Sequence, residues 1–207
     1  MRDSTMKTFP IMLDMRGKLA VVVGGGAVGR RKARSLIAAG AAVRVIDPAG
    51  PNIAGATVVA RAYRKSDLKG AMLVFACTGE RATNARIAAD ARAAGALVNA
   101  VDQIEDCDFL APAVLQRGKV VVAVGTGGTA PALAKLLKKH MATAMPQKIA
   151  GFAAALERIR HMLRHRPLPP QRRQAVMKQL AGEGGYQLFM AGGAKSLRQR
   201  CLELCRV

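Results

Sequence analysis

Residues 21–34 read VVVGGGAVGRRKAR. A β-branched run enters three glycines, and a helical pattern opens directly behind them. Gly24, Gly26 and Gly29 satisfy G-x-G-x-x-G in the setting that motif needs, after a strand and at a helix start. The first glycine permits the tight turn, the second lets backbone approach a pyrophosphate, and the third lets helix and strand pack closely. The helix start adds free N–H donors and the positive end of a dipole. Asp47 ends the next apolar run, AVRVI (42–46), where a carboxylate accepts hydrogen bonds from an adenosine ribose and repels a 2′-phosphate. Strand, glycines, helix, strand and acid in register point to a dinucleotide, NAD rather than NADP.

Outward from this stretch, short β-branched runs alternate with alanine-rich helical patterns. LAVVV (19–23), AVRVI (42–46), TVVA (57–60), MLVFA (72–76), ALVNAV (96–101) and KVVVAV (119–124) read as strands buried on both faces. Helices are expected at about 27–39, 81–94 and 129–143, the first two stopped by Gly40 and Gly95. The alternation predicts an α/β fold with a Rossmann-like, doubly wound parallel sheet. Beyond Pro146 alanine, leucine, methionine and arginine dominate. Two or three helices are expected there, broken at RPLPP (166–170), GEGG (182–185) and AGG (191–193).

The chain has 207 residues, 51% of them hydrophobic, which allows a real core. Its 33 Lys and Arg against 13 Asp and Glu give a net charge of +20, a surplus that asks for an acidic partner. Aromatic residues make up only 3%, which argues against base-stacking on single strands, and no helix-turn-helix, zinc finger or RNP motif occurs. LAVVVGGGAVG is too short and too broken by glycine to span a bilayer. Cys77, Cys107, Cys201 and Cys205 form no CxxC pair and fit a reduced, cytoplasmic protein. Cys201 and Cys205 share a helical stripe with Leu197 and read as small core residues, since two thiols alone make a poor metal cage.

Two further stretches carry chemistry. NAVDQIEDCDF (99–109) follows the fifth apolar run and crowds Asp102, Glu105, Asp106 and Asp108 into seven residues. Ligands of doubly wound sheets bind at such strand ends, and Asp102 lies nearest to it. A solvated acidic loop is the plain alternative. VGTGGTAPALAKLLKK (124–139) sets Thr126, Gly127, Gly128 and Thr129 before a helix, where hydroxyls and backbone N–H groups could hold a carboxylate or phosphate. A turn with an N-cap would look the same.

Taken in order, these stretches resemble the precorrin-2 dehydrogenase / sirohydrochlorin ferrochelatase family, the N-terminal module of siroheme synthase. The likeness covers residues 9–147, from FPIMLDMRGKLAVVVGGGAVGRRKA through VFACTGERATNARIAADARAAGALVNAVD to CDFLAPAVLQRGKVVVAVGTGGTAPALAKLLKK. The resemblance implies NAD-dependent oxidation of precorrin-2 to sirohydrochlorin, then insertion of ferrous iron, a substrate rather than a bound cofactor, to give siroheme. It implies a homodimer, with residues 1–112 as the NAD-binding domain, 113–147 as the dimerisation segment and 148–207 as a helical C-terminal domain. The aspartate implicated in both activities would be Asp102. Cofactor-binding positions would be Gly24, Gly25, Gly26, Ala27, Val28, Gly29, Asp47, Pro48, Ala49 and Thr78. Substrate-binding positions would be Asn99, Thr126, Gly127, Gly128 and Thr129. The anionic tetrapyrrole would account for the basic surplus, with no specific nucleic acid and no membrane as partner. Gln103 stands where the family has an acid or proline, and Gly125 and Thr126 where it has hydroxyl and serine. The chain ends before the methyltransferase domain of siroheme synthase, so a stand-alone form without methylation is expected. The alternatives are an NAD-dependent Rossmann oxidoreductase of another acidic small molecule and a basic nucleotide-sensing regulator.

Overall fold

The strand entering the glycines, β1 (Leu19–Val23), is buried along nearly its whole length, as a β-branched run between two helical layers must be. Its side chains alternate. Ala20 and Val22 meet Ala33 and Leu36 of α1 (Ala27–Ala38), while Val21 and Val23 meet Ile87, Ala88 and Ala91 of α2 (Arg81–Ala93). The computed structural model describes residues 6–206, and the chain divides into two compact units. The first comprises the chain up to Ala111 together with Gly125–Ala130, and the second comprises Pro112–Val124 with Pro131 onward.

The first unit is built on a five-stranded parallel sheet. Strands β2 (Ala42–Ile46), β3 (Ala56–Val59), β4 (Ala71–Ala76) and β5 (Leu97–Ala100) join β1 in the order β3-β2-β1-β4-β5. Val23 pairs with both Ile46 and Ala76, so the three central strands end level. The order reverses between β1 and β4, which opens a crevice beyond their carboxyl ends. Helix α1 covers one face and α2 the other, because crossovers of one hand running in opposite directions land on opposite faces. Asp67, in a short 3-10 turn between β3 and β4, is buried and accepts both Arg61 guanidinium nitrogens, at 2.9 and 2.5 Å, and the Arg64 N–H at 2.8 Å. Arg61 beside it holds the Asp67 carboxyl below the usual carboxylate range.

The second unit opens with a hairpin, β6 (Ala113–Arg117) and β7 (Val120–Val124), antiparallel in register. This corrects the expectation that KVVVAV is a sixth buried strand of the parallel sheet. Its uninterrupted apolar run hides an alternating strand whose outer face is also apolar, leaving Val121 and Ala123 exposed. AVLQR, mixed in character, gave no strand signal. Four helices follow: α3 (Pro131–Ala144), α4 (Ile149–Arg164), α5 (Pro170–Ala181) and α6 (Glu183–Leu204). Arg117 closes the end of α3 by donating to the carbonyls of Ala142 and Met145, at 2.8 and 2.6 Å. The core is the inward stripe of α4 (Phe152, Ala155, Ile159, Leu163) against Val176 and Leu180 of α5 and Phe189, Leu197 and Cys201 of α6. Gly193, with φ at 67°, kinks α6 within the AGG stretch. Among the described residues no helix is long and apolar enough to cross a membrane.

Candidate active site at the sheet crevice

The glycine turn is fixed by contacts that only glycine allows. Gly24 has φ at +98°, and a Cβ there would lie 2.4 Å from the Cys77 carbonyl oxygen. A Cβ on Gly29 would lie 1.8 Å from the Gly24 oxygen, so the third glycine is what lets α1 close on β1. Gly26 differs: nothing lies within 4 Å of where its Cβ would be. It is the N-cap of α1, no side chain caps the helix, and the first turn holds no acidic residue. The helix start, with exposed Ala27 and half-buried Val28, therefore presents backbone donors free of competing protein anions.

Asp47 joins this loop from β2. One carboxylate oxygen accepts the Gly25 N–H at 2.5 Å and the other the Ala49 N–H at 2.8 Å. The acid thus stiffens the turn while Pro48 and Ala49 lie exposed beside it. Arg30 folds back to donate its Nε–H to the Gly25 carbonyl at 2.9 Å. Thr78, just past β4, is locked to Asn84: its N–H and hydroxyl both approach the Asn84 Oδ1, at 3.1 and 2.7 Å, and Asn84 Nδ2 donates to the Thr78 carbonyl. These donors and acceptors suit a dinucleotide, with an anion at the start of α1 and a ribose near Asp47.

Beyond β5, the acidic stretch folds into a tight loop around the buried thiol of Cys107. That thiol lies 3.2 Å from the carbonyl oxygens of Ala100 and Gln103 and accepts the Ala100 N–H at 3.2 Å. Asn99 is buried, and its amide donates to the Phe109 carbonyl at 3.0 Å and reaches the Cys107 sulfur at 3.5 Å. Burial pushes the Cys107 thiol up, and the Cys77 thiol in the crevice up to about 11, so both stay protonated near neutral pH.

The four acids of this loop have different surroundings. Glu105 pairs with Arg81 at 2.6 Å, and Asp108 pairs with Arg92 at 2.9 Å while also accepting the Val98 N–H. Asp102 is exposed and its carboxylate accepts no hydrogen bond from the described residues. It is the only described non-glycine residue at positive φ, 61°. Gly128 brings the hydroxyl turn to this same loop, since a Cβ there would press 2.9 Å from Ile104 and 3.4 Å from Leu110. Within the turn, Thr129 donates to the Thr126 carbonyl at 2.7 Å and the Thr126 hydroxyl accepts the Ala130 N–H. Gly127 and Gly128 both have positive φ.

The first unit thus gathers Asp102, Asn99 and residues 126–129 in one region and the glycine turn with Asp47 in another. Arg30, Asn84 and Cys107 are the participants that the sequence did not single out. Each works through a contact across 5 to 8 residues of sequence, without a motif of its own.

Comparison with known proteins agrees with this geometry. Residues 11–113 match the family model described as "Putative NAD(P)-binding". The siroheme synthase of Pseudomonas putida (strain W619) is 37% identical over 196 residues, covering 86% of this chain and 42% of that protein. The siroheme synthase of Azotobacter vinelandii is 33% identical, over 96% of this chain and 44% of that protein. The chain therefore spans less than half the length of these curated relatives. A solved structure, "SirC, precorrin-2 dehydrogenase", superposes with a TM-score of 0.75 over 95% of this chain and 100% of the other, at 20% identity, and shares the fold. Fold and glycine turn together define a Rossmann-type, dinucleotide-binding protein with a helical companion unit. By sequence the chain belongs with these siroheme synthases, over the less than half of each that it spans.

Proposed function

We propose that this protein oxidises precorrin-2 to sirohydrochlorin with NAD and then accepts ferrous iron as a substrate to form siroheme. The observation that carries the proposal is Asp102, an exposed carboxylate without a partner among the described residues, held just past the end of β5 in a chain whose relatives are named siroheme synthase. Bound NAD supplies the hydride acceptor. The protein's own part is to take the proton that departs with the hydride, and an unpartnered carboxylate on the substrate side of the crevice suits that task. Iron insertion displaces two pyrrole protons, and the same carboxylate can relay them. Glu105 and Asp108, tied to arginines, are poorer bases.

Asp47 favours NAD, because a 2′-phosphate would face a carboxylate already fixed by two backbone N–H groups. Asn99 and Gly128 would serve by shaping the loop that carries Asp102, while the N–H groups of Gly127 and Gly128 and the Thr126 and Thr129 hydroxyls would receive a substrate carboxylate.

A homodimer through residues 113–147 fits the apolar side chains left exposed on the hairpin and α3 (Val114, Val121, Leu133, Leu136 and Met141). Four free thiols fit a reducing cytoplasm. The test is anaerobic incubation of precorrin-2 with NAD, then ferrous iron, followed by absorption spectra. NADH and sirohydrochlorin are expected in equal amounts, and absence of NADH formation overturns the assignment.

A further inference from the structure

Helix α1 carries four cations, and one of them does not go to solvent. Arg31 and Arg34 are exposed and Arg30 is spent on the Gly25 carbonyl. Lys32 lies between Gly29 and Leu36, the buried positions three before and four after it, at the edge of the inward stripe. Its ammonium is half-buried, 5.2 Å from the centre of the Phe75 ring on β4. Phe75 meets Phe109 edge-on at 5.3 Å, and the Phe109 carbonyl is the acceptor of the Asn99 amide. The lysine therefore belongs to a cluster that runs from α1, across β4, to the loop carrying Asp102.

Two features distinguish this cation from the other basic residues. It makes no salt bridge among the described residues, and the charged or titratable groups acting on it are the Cys77 and Cys107 thiols and Arg31, with no carboxylate among them. Burial pulls its pKa down, which is the sign of an ammonium held partly out of water. A cation–π contact compensates for only part of that loss. Second, its side of the sheet is the substrate side. Asp47 marks the adenosine half on β2, and β4 lies across β1 from it, toward β5 and Asp102. The cofactor's phosphates have the start of α1 for donors, about one and a half turns before Lys32 along the helix.

We infer that Lys32 is a substrate-binding residue, whose ammonium receives a carboxylate of the anionic tetrapyrrole and so fixes the macrocycle relative to Asp102. This rests on the tetrapyrrole function proposed above. The pair would form where water is already partly excluded, so it would be stronger and less salt-sensitive than contacts with the exposed arginines. A residue kept for folding alone would behave differently. Removing a half-buried, unpaired charge relieves desolvation, so a substitution that preserves the aliphatic stem should leave the fold at least as stable.

The experiment compares the full chain with its Lys32→Met and Lys32→Arg variants. Three quantities are measured: sirohydrochlorin binding by absorption titration, NAD binding by calorimetry, and the thermal midpoint. Lys32→Met is expected to weaken sirohydrochlorin binding by about tenfold or more. NAD affinity should stay within about twofold, Tm should be equal or higher, and Lys32→Arg should recover most of the lost affinity. If the wild-type chain binds sirohydrochlorin and Lys32→Met binds it equally well, the inference fails while the tetrapyrrole function stands. An equal loss for NAD also overturns it, because the lysine would then serve the cofactor. If the wild-type chain binds no sirohydrochlorin, the function proposed above fails, and the role of Lys32 fails with it.

Discussion

Replacing Asp102 by asparagine and by alanine separates chemistry from backbone strain. At φ 61° the residue occupies the left-handed region, which costs an ordinary L-residue about 1–2 kcal/mol and an aspartate or asparagine less. Asparagine should thus keep the loop, with stability within about 0.5 kcal/mol of wild type. Alanine loses the side chain that tolerates this conformation and should cost about 1 kcal/mol, or roughly 2–4 °C in Tm for a chain of this size. Both remove the base, so turnover of precorrin-2 should fall by about two to four orders of magnitude in each. Oligomeric state and NAD affinity should be unchanged. The assay is anaerobic NADH formation from precorrin-2, with thermal unfolding on the same samples. Activity that tracked stability, with asparagine near wild type and alanine impaired, would refute the general-base role and leave Asp102 as a turn residue. Iron insertion should fall with dehydrogenation, and its survival in either variant would separate the two activities. Alanine at Glu105, Asp106 or Asp108 should be milder in turnover, Asp108 costing stability through Arg92 and the Val98 N–H.

Asp47→Asn should raise NADP affinity relative to NAD by about tenfold or more, because it removes a carboxylate from the 2′-phosphate position, and calorimetry with both nucleotides reads the ratio. Gly29→Ala should abolish NAD binding or folding outright, since its methyl would have to lie 1.8 Å from the Gly24 oxygen; a soluble variant with wild-type NAD affinity would show the turn to be looser than described. Asp67 should contribute to acid sensitivity. Its pKa is depressed in the folded state by Arg61, so its stabilisation is present above the ordinary aspartate pKa and lost as pH falls through the folded value. Asp67→Asn should therefore lower Tm at neutral pH, by about 1–2 kcal/mol of stability, and flatten its decline at acid pH.

The parts legible in the sequence are those encoded by short-range pattern. β1, the glycines, α1 and β2 follow one another within 28 residues, and each imposes its own periodicity or backbone demand. Asp102 could be placed because β5 ends two residues before it. Its left-handed backbone could not, because aspartate signals no such conformation. The hairpin was hidden for a different reason. Past its lysine, KVVVAV is apolar on both alternating faces, so burial on both sides and burial on one look alike. Cys107, Asn84 and Arg30 act across folds of the chain. Cys107 is one small apolar residue in an acidic loop until Ala100 and Gln103 close around its sulfur. A lysine over a phenylalanine ring leaves no trace at all in spacing, since α1 and β4 lie far apart along the chain.

The basic opening of α1 now has a physical account. Four cations near the positive end of a helix dipole repel it and one another, and an acidic or hydroxyl N-cap would ease the strain. The chain uses glycine at the cap instead, forgoing the commonest device for steadying a helix start, at a cost of roughly 0.3 kcal/mol. A carboxylate there would occupy the donors that a pyrophosphate needs. The cations are then disposed so that none competes for the same place. Arg30 turns back onto the Gly25 carbonyl, Arg31 and Arg34 face water, and Lys32 reaches down to Phe75. The helix start is left electropositive and uncapped for one anion, and the lysine beyond it, without a salt bridge among the described residues, would receive the second anion inferred above. A protein that joins a dinucleotide to a polycarboxylate, as proposed, would need two such places on the same helix, and folding alone needs neither.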